Sequence, residues 1–416
     1  MPISRAFRDR LYPHLDRIAA HYGTPFHIYD EAGIRSTGER LKQAFSGVSG
    51  FREYFAVKAL PNPRILALMG EMGFGFDCSS VPELVLAGDV GARGEDIMFT
   101  SNNTTSAEFD EAMARGGVIN LDDISLLAKL TRVPELLCFR YNPGPLREGN
   151  DIIGRPEEAK FGVAEHQFAD AYRRARDLGA RRFGLHTMVV SNQLDHNYCV
   201  ETSRAMLDWA ERLEDELGIR FEFINVGGGL GIPYRAEESP LDIDALGRAV
   251  AGLVDAFAAR RGYAPKIYTE SGRYMTGPHG VLVTRVINRK EIYRTHVGVD
   301  ACMSSLMRPG MYGAYHHVEI PGRDGEEEVV DVVGPLCENN DKFAIQRPLP
   351  RAIEGDLVVI HDTGAHGHSM GFTYNGRLRP KELLLREHGG VELIRRAETL
   401  ADYLATLSFE PDVLNS

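Results

Sequence analysis

The stretch YFAVKALPNPRILALMGEMGFGFDCSS, residues 54–80, decides the fold. It opens with the short apolar run YFAVKA (54–59), continues through a helical pattern and closes with the run FGFDCSS (74–80). Such alternation is typical of parallel strands joined by helices. It continues through six further runs: DIMFTSN (96–102), VINLDD (118–123), LLCFRYN (136–142), RFGLHTM (182–188), FEFINVG (221–227) and KIYTES (266–271). Eight units in one segment predict a TIM-like (β/α)8 barrel.

Beyond Gly280 the helical patterns stop and strand-like runs take over. These runs are GVLVTRVI, HVGVDAC, EEVVDVVGPLC, DLVVIHD and VELIRR. The sequence therefore predicts an α/β plus β protein, in which the barrel is followed by a mostly β barrel domain. We expect an N-terminal segment over residues 1–30 that packs with the β domain, the (β/α)8 barrel over residues 31–279, and the β domain over residues 280–416.

Composition narrows the class of function. The chain has 416 residues, 43% of them hydrophobic, and a formal net charge of −12, which excludes disordered and fibrous classes and disfavours nucleic-acid or anionic-membrane partners. No apolar run has the length of a signal-peptide core or a membrane helix. The five cysteines lack disulfide or zinc-ligand spacing. We therefore expect a cytoplasmic protein with reduced thiols that acts on a small molecule.

Polar residues close most of the eight runs, where a barrel of this type builds its active site. They are Lys58, Asp77, Arg140, His186, the triple glycine at 227–229, and Glu270. Their types would supply a nucleophilic amine, two carboxylates, two further cationic or basic groups and a backbone cradle. We expect them to converge on one site.

Each of these residues also has a structural interpretation. The apolar neighbours of Lys58 would lower its pKa, as an amine nucleophile requires, but an edge lysine can instead extend to solvent. Asp77 and Arg140 could form a buried pair with each other or contact a cofactor. His186 could be an ordinary core histidine.

The triple glycine in NVGGGLGIPY allows backbone N–H groups to approach a phosphate closely. The run is not GxGxxG and no GK[ST] follows it, so a dinucleotide site and a P-loop are disfavoured. A tight turn is the alternative.

Two segments of the β domain carry further candidates. Cys337 and Glu338 lie in GPLCENND, where a small buried residue beside a surface acid is the structural alternative. HDTGAHGHSM contains His361, His366 and His368, but no acidic partner accompanies them at helical spacing. We therefore expect no metal site, and a phosphate or substrate role fits these histidines better.

Seven ordered motifs resemble diaminopimelate decarboxylase, a family of pyridoxal-phosphate decarboxylases with the alanine-racemase-like fold, related to ornithine decarboxylase. The motifs span almost the whole chain. They are FAVKA around Lys58, FDCSS around Asp77, NVGGGLG (225–231), ESGR (270–273), LMRPGMYGAYH (306–316), GPLCENND (334–341) and GA-x-G-x-SM-x-x-x-YN-x-x-x-RP (364–380).

The resemblance implies a site for pyridoxal 5′-phosphate. Lys58 would hold the cofactor covalently, Glu270 would pair with the pyridine nitrogen, and His186 would stack on the ring. The predicted cofactor-binding residues are Lys58, Asp77, Arg140, His186, Gly228, Gly229, Glu270, Gly272, Arg273 and His366.

The resemblance also implies a substrate site and a homodimer with shared active sites. Arg273 and Arg308 would hold a distal carboxylate with help from Tyr312, and Glu338 would take the distal ammonium. His366 is a further predicted substrate contact. Cys337 would donate a proton from the second protomer, so the predicted catalytic residues are Lys58, Cys337 and His186.

Three positions depart from the family pattern. His186-Thr187-Met188-Val189 stands where His-x-Gly-Ser is usual, which removes a phosphate-binding serine, and Ser191 and Asn192 are the candidates to replace it. Ser271 stands where proline is usual. His366 stands where a phosphate-contacting tyrosine is usual, and its imidazole N–H can also donate.

The predicted function is decarboxylation of meso-2,6-diaminopimelate to L-lysine, the last step of lysine biosynthesis, because Arg308 and Glu338 offer opposite charges to the two distal groups. One alternative is a decarboxylase of another amino acid, such as ornithine, lysine, arginine or a carboxylated polyamine precursor. Another is a non-catalytic cofactor-binding homologue, against which the presence of both Lys58 and Cys337 counts.

Overall fold

A computed structural model describes residues 3–149 and 154–407 of the chain. The chain divides into two compact units. The barrel unit is Ala32–Pro278, and the β unit combines Met1–Glu31 with His279–Ser416. Within the described ranges, no helix has both the length and the apolar character needed to cross a bilayer.

The N-terminal part of the β unit contains two helices and a strand. These are α1 (Arg5–Leu11), α2 (Leu15–Tyr22) and β1 (Phe26–Asp30). Ser4 caps α1, because its hydroxyl accepts a hydrogen bond from the amide of Phe7 at 3.1 Å. The apolar faces of both helices, including Phe7 and Leu11, pack on β1 and its neighbours in the sheet.

Eight parallel strands form the closed barrel. They are β2 (Arg52–Ala56), β3 (Gly75–Cys78), β4 (Ile97–Ser101), β5 (Val118–Leu121), β6 (Leu136–Asn142), β8 (Arg182–Thr187), β9 (Phe221–Asn225) and β10 (Lys266–Thr269). Closure comes from the pairing of β10 with β2, and the short β7 (Val163–Ala164) lies beside β6. The fold class predicted from the sequence is confirmed, and each observed strand falls within or overlaps its predicted run.

One helix precedes β2, and further helices follow most of the barrel strands. They are α3 (Glu31–Ala44), α4 (Pro63–Glu71), α5 (Val81–Asp89), α6 (Ser106–Ala114), α7 (Glu165–Asp177), α8 (His196–Leu217), α9 (Ile243–Arg261) and the short α10 (Arg273–Thr276). After β5 the described chain has a 3-10 segment, Ile124–Lys129, in place of an α-helix. The connection to β6 is short and contains Pro134, which is incompatible with a helix interior.

The β unit is a nine-stranded mixed sheet. Its remaining strands are β11 (Gly280–Glu291), β12 (Thr295–Val299), β13 (Val318–Glu319), β14 (Glu327–Val333), β15 (Lys342–Pro350), β16 (Leu357–Ile360), β17 (Lys381–Leu385) and β18 (Val391–Arg395), with helices α11 (Arg308–Tyr312) and α12 (Leu400–Leu404). The order is β15-β14-β12-β11-β1-β17-β18, and β16 pairs with both β11 and β13.

Four strands of this sheet were not predicted, namely β1, β13, β15 and β17. β15 carries Pro348 and Pro350, which fit only because it is an edge strand. β17 has the sequence KELLL, whose residues favour a helix, and its pairing with β1 and β18 overrides that preference.

Candidate active site

Lys58 and Asp77 form an ion pair at the carboxyl ends of neighbouring barrel strands. Lys58 lies in the 3-10 turn after β2, and its Nζ donates to Asp77 Oδ2 at 3.1 Å. The lysine side chain is 51% exposed, whereas Asp77 is buried. The amine is therefore accessible at the open end of the barrel.

The expectation of a lowered pKa for Lys58 was wrong. Desolvation lowers the pKa of its ammonium, but the negative charges of Asp77 and Glu270 outweigh it and raise the pKa above the ordinary value. In turn, burial and the charge of Glu270 raise the pKa of Asp77, while Lys58 lowers it. Without a cofactor, Lys58 is therefore a charged ammonium stabilised by the negative charges of Asp77 and Glu270.

Glu270, which follows β10, is held as a buried anion. Asn225 Nδ2 donates to Glu270 Oε1 at 2.7 Å, and His186 Nε2 lies 3.1 Å from Oε2. Burial opposes ionisation, but the charge and hydrogen bond of His186, followed by the charge of Lys58, lower the pKa of Glu270. The Nδ1 atom of His186 has no hydrogen-bond partner among the described residues.

Two further residues support Glu270 and were not found from the sequence. Asn225 also accepts a hydrogen bond from the amide of Gly227 at 2.9 Å, so one side chain links the acid to the glycine run. Glu53 in β2 accepts from the Thr269 hydroxyl and the Ser271 amide, both at 2.5 Å. These are the residues on either side of Glu270.

The signal for Glu53 was present in the sequence. Strands of a parallel barrel are buried on both faces, so an acid within one must be hydrogen-bonded or neutral. Burial raises the pKa of Glu53 to about 8, although the hydrogen bonds from Thr269 and Ser271 counteract part of that effect.

Asp77 and Arg140 do not pair with each other. Arg140 Nη1 lies 3.4 Å from Asp122 Oδ1, and Nη2 donates to the Met188 carbonyl at 3.0 Å. Strand order explains both pairings. Asp122 follows β5 and Arg140 lies in the adjacent strand β6, whereas Lys58 follows β2 and Asp77 lies in the adjacent strand β3.

The triple glycine forms a cradle that only glycine can build. At Gly228 a Cβ would lie 2.4 Å from the Glu270 carbonyl, and at Gly229, where φ is +88°, it would lie 2.4 Å from the Val190 carbonyl. Among the described residues, the Gly228 amide donates to the thioether of Met188 at 3.2 Å, and sulfur is a weak acceptor. An anion could therefore take that N–H as a stronger acceptor.

Gly272 and Arg273 lie at the start of α10. A Cβ at Gly272 would lie 2.5 Å from the Cβ of Ala59, so glycine allows this turn to pack closely against the turn that carries Lys58. The buried Arg273 donates to the Tyr234 hydroxyl at 2.5 Å and to the Ser191 hydroxyl at 3.4 Å.

The two candidates for the missing phosphate-binding serine differ in their contacts. Ser191 lies against Arg273, while Asn192 accepts from the Ile232 amide at 2.9 Å and braces the loop after the glycines. Ser191 is thus the hydroxyl that lies beside a cation.

The remaining predicted residues belong to the β unit. Arg308 is buried at the start of α11, and its Nη1 lies 3.3 Å from His316 Nε2. Tyr312 ends the same helix and is 43% exposed. His366 has φ of +54°, a left-handed conformation that is uncommon for a side chain of its size.

Cys337 and Glu338 are exposed on a loop that is fixed by hydrogen bonds to other side chains. The Cys337 amide donates to Asn375 Oδ1 at 2.7 Å. Below it, the buried Asp341 accepts from the amides of Met303 at 2.6 Å and Leu336 at 2.8 Å. The thiol is not part of a disulfide. The side chains of Asn375 and Asp341 accept hydrogen bonds from backbone amides of the loop and so fix its position.

The barrel residues fit pyridoxal 5′-phosphate. Lys58 offers an accessible amine, Glu270 a buried anion suited to a protonated ring nitrogen, and Gly228 a backbone N–H that donates to the weakly accepting sulfur of Met188. A side chain at any of the three cradle glycines would block the close approach of the loops.

Comparisons with known proteins agree with this fit. A family model described as "Pyridoxal-dependent decarboxylase, pyridoxal binding domain" matches residues 31–277. The chain is 50% identical to Protein TabA of Pseudomonas amygdali pv. tabaci, over 100% of this chain and 99% of that protein. It is 40% identical to diaminopimelate decarboxylase of Methanothermobacter thermautotrophicus, over 93% and 92% of the two chains. The crystal structure of diaminopimelate decarboxylase from M. jannaschii in complex with L-lysine superposes with a TM-score of 0.87 at 31% identity, covering 95% of this chain and 94% of that one.

Proposed function

Because the chain belongs to the pyridoxal-dependent decarboxylases, we propose that it converts meso-2,6-diaminopimelate to L-lysine and CO2, the last step of lysine biosynthesis. It is an amino-acid decarboxylase of this family, and its cofactor is pyridoxal 5′-phosphate. When bound, that cofactor supplies the sink for the electron pair left behind as CO2 departs.

The chain's own residues divide the remaining work. Lys58 would hold the cofactor through Nζ, and the amides of Gly228 and Gly229 would bind its phosphate. Glu270, kept ionised by His186 and Lys58, would hold a proton on the pyridine nitrogen. Asn225 and Glu53 would keep that carboxylate in place.

The observation that carries the choice of substrate is the buried guanidinium of Arg308. A guanidinium binds a carboxylate through charge-assisted hydrogen bonds, and diaminopimelate differs from lysine by such a distal carboxylate. Arg273 and Tyr312 would assist, and Glu338 would meet the distal ammonium. The 40% identity to a diaminopimelate decarboxylase supports this choice.

The proposal includes a homodimer with shared active sites in the cytoplasm. Cys337 and Glu338 are exposed on their loop, so their polar groups are available to a second subunit. Cys337 would deliver a proton to the carbon that has lost CO2. The unpaired thiols are consistent with a reducing compartment.

One observation favours a second candidate, another amino acid with a distal carboxylate. The chain is 50% identical over its whole length to a protein that carries a different name, TabA. It also has Met188 and His366 where the diaminopimelate decarboxylase pattern has glycine and tyrosine.

The test measures CO2 release from meso-diaminopimelate, lysine, ornithine and arginine by the cofactor-loaded enzyme and by Arg308→Ala. We expect preference for diaminopimelate, and a loss of that preference of about 100-fold in the variant, since one buried partner of an ion pair contributes roughly 3 kcal/mol or more. Arg323→Ala, which removes a partly buried pair with Asp356, is the control. Preferred turnover of ornithine by the unaltered enzyme would overturn the substrate.

A further inference from the structure

Three possible metal ligands that the proposed reaction does not use share one face of the sheet in the β unit. They are His317, Glu319 and His361. β13 pairs antiparallel with β16, with Val318 opposite Ile360, so His317 lies opposite His361. The amide of His361 donates to the His317 carbonyl at 2.9 Å, which fixes that register. Because side chains alternate along a strand, Glu319 points to the same side as His317.

The distances suit a small cation. One ligand atom from each of the three residues lies within 4.8 Å of the other two. His361 Nε2 is 3.2 Å from Glu319 Oε2. Two ligands about 2.0–2.1 Å from a tetrahedral Zn²⁺ would be separated by about 3.3 Å. That pair has the separation of two zinc ligands, which is also the separation of a hydrogen bond, and the ligand atom of His317 lies within 4.8 Å of both.

The surroundings orient the ligands. Arg8 Nη2 binds Glu319 Oε1 at 2.5 Å, which leaves Oε2 directed at the histidine. The Tyr12 hydroxyl lies 2.6 Å from Oε2 and 3.0 Å from His361 Nε2. Such outer contacts to a ligating carboxylate are usual at metal sites.

The hydrogen bonds of the cluster leave one polar atom unused. His361 is 2% exposed, and its Nδ1 atom has no partner among the described residues. Nε2 is the nitrogen that faces Glu319 and Tyr12, so Nδ1 is the ring N–H that a metal-bound histidine usually donates to an outer acceptor such as a water. The same residues could also form a metal-free hydrogen-bond network, which the experiment must distinguish.

We propose that His317, Glu319 and His361 bind a Zn²⁺ ion, with a water in the fourth position beside Tyr12. Two imidazoles and one carboxylate are ligands that zinc prefers over magnesium or calcium. The ion would fasten the N-terminal residues Arg8 and Tyr12 to β13 and β16. The sequence did not indicate this site because the acid is on a neighbouring strand and not at helical spacing from His361.

The experiment uses the full-length, untagged, cofactor-loaded enzyme after treatment with a chelator. Zinc bound per chain is measured by elemental analysis at increasing ZnCl2, together with the thermal midpoint. We expect one Zn²⁺ per chain and a higher midpoint with zinc, because a ligand that binds only the folded state stabilises it. Co²⁺ in the same site should give the intense visible bands of four-coordinate cobalt.

The variants are His317→Gln and Glu319→Gln, with His388→Gln, an exposed histidine of the same unit, as the control. Loss of an outer contact weakens metal binding by about 10–100-fold, so loss of a ligand should weaken it by at least about 100-fold. The cofactor absorbance of each variant reports that it has folded. Equal zinc binding by the control and the ligand variants, or no zinc binding by the unaltered enzyme, would overturn the site in favour of the metal-free network.

Discussion

Glu53, in β2, and Glu270, directly after the neighbouring strand β10, are buried, and their pKa values are displaced in opposite directions. The charges of His186 and Lys58 lower that of Glu270, whereas burial raises that of Glu53 to about 8. At neutral pH one acid is charged and the other is largely neutral. Glu53 can therefore support the residues around Glu270 without placing a second negative charge beside it.

The raised pKa of Glu53 makes the stability of the fold depend on pH. An unfolded glutamate loses its proton near pH 4.3, while the folded protein retains the Glu53 proton up to about pH 8. The folded state therefore binds more protons in that range, and the contribution of Glu53 to stability falls as pH rises through it.

Glu53→Gln removes this titration but keeps the shape of the side chain. Urea unfolding should show the variant gaining stability relative to the unaltered enzyme between about pH 4.3 and pH 8, with no further gain above that range. Glu237→Gln, at an exposed barrel position, should show no such trend. A pH-independent difference for Glu53→Gln would show that the pKa of Glu53 is the same in the folded and unfolded states.

Lys58→Ala should abolish covalent attachment of the cofactor. Among the described lysines of the barrel, Lys58 lies in the turn that packs against Gly272 and near Glu270. Borohydride reduction followed by peptide mass spectrometry measures the attachment. Lys266→Ala, at the opposite end of β10, should keep it. A label on any other lysine of the unaltered enzyme would refute the assignment.

Glu270→Gln should lower kcat by about 100-fold or more while cofactor content stays near that of the unaltered enzyme. The amide cannot supply the anion that stabilises a protonated ring nitrogen, whereas the glycine cradle still binds the phosphate. Steady-state CO2 release and absorbance of the bound cofactor measure the two quantities. Glu222→Gln, near the start of β9, is the control. Unchanged turnover in Glu270→Gln would exclude that role.

A mixture of inactive Lys58→Ala and inactive Cys337→Ala should regain activity if the active sites are shared between subunits. At equal amounts and free exchange, half of the dimers are mixed and each has one complete site, so about a quarter of full activity is the ceiling. Mass-tagged subunits report the exchange. Mixed dimers without activity would show that both residues serve one subunit's site, or that Cys337 is not the proton donor.

The barrel was predictable because its strands are buried on both faces and therefore stand out as short apolar runs. Lys58, Asp77, His186 and Glu270 follow from the rule that such barrels place their chemistry at strand ends. Their partners did not follow, since pairing depends on which strands are adjacent. Arg140 contacts Asp122 and not Asp77 for that reason.

The edge of the β unit was harder to predict. β13 is two residues long, too short for any periodicity, yet it brings His317 and Glu319 beside His361. The contacts of Asn225 were likewise not predicted, because the sequence pattern drew attention to the glycines that follow it. Its two hydrogen bonds become visible only when Glu270 and Gly227 are in place.

The pairing of β1 imposes an order of assembly during synthesis. Phe26 of β1 pairs with Val283 of β11 and with Lys381 of β17, so a strand made before the barrel waits for partners made after it. The barrel strands pair mostly with near neighbours in sequence and can close while β1 is still without its sheet. A nascent chain that stalls after the barrel would expose an apolar, unpaired strand at its beginning, which is a ready target for chaperones or for aggregation.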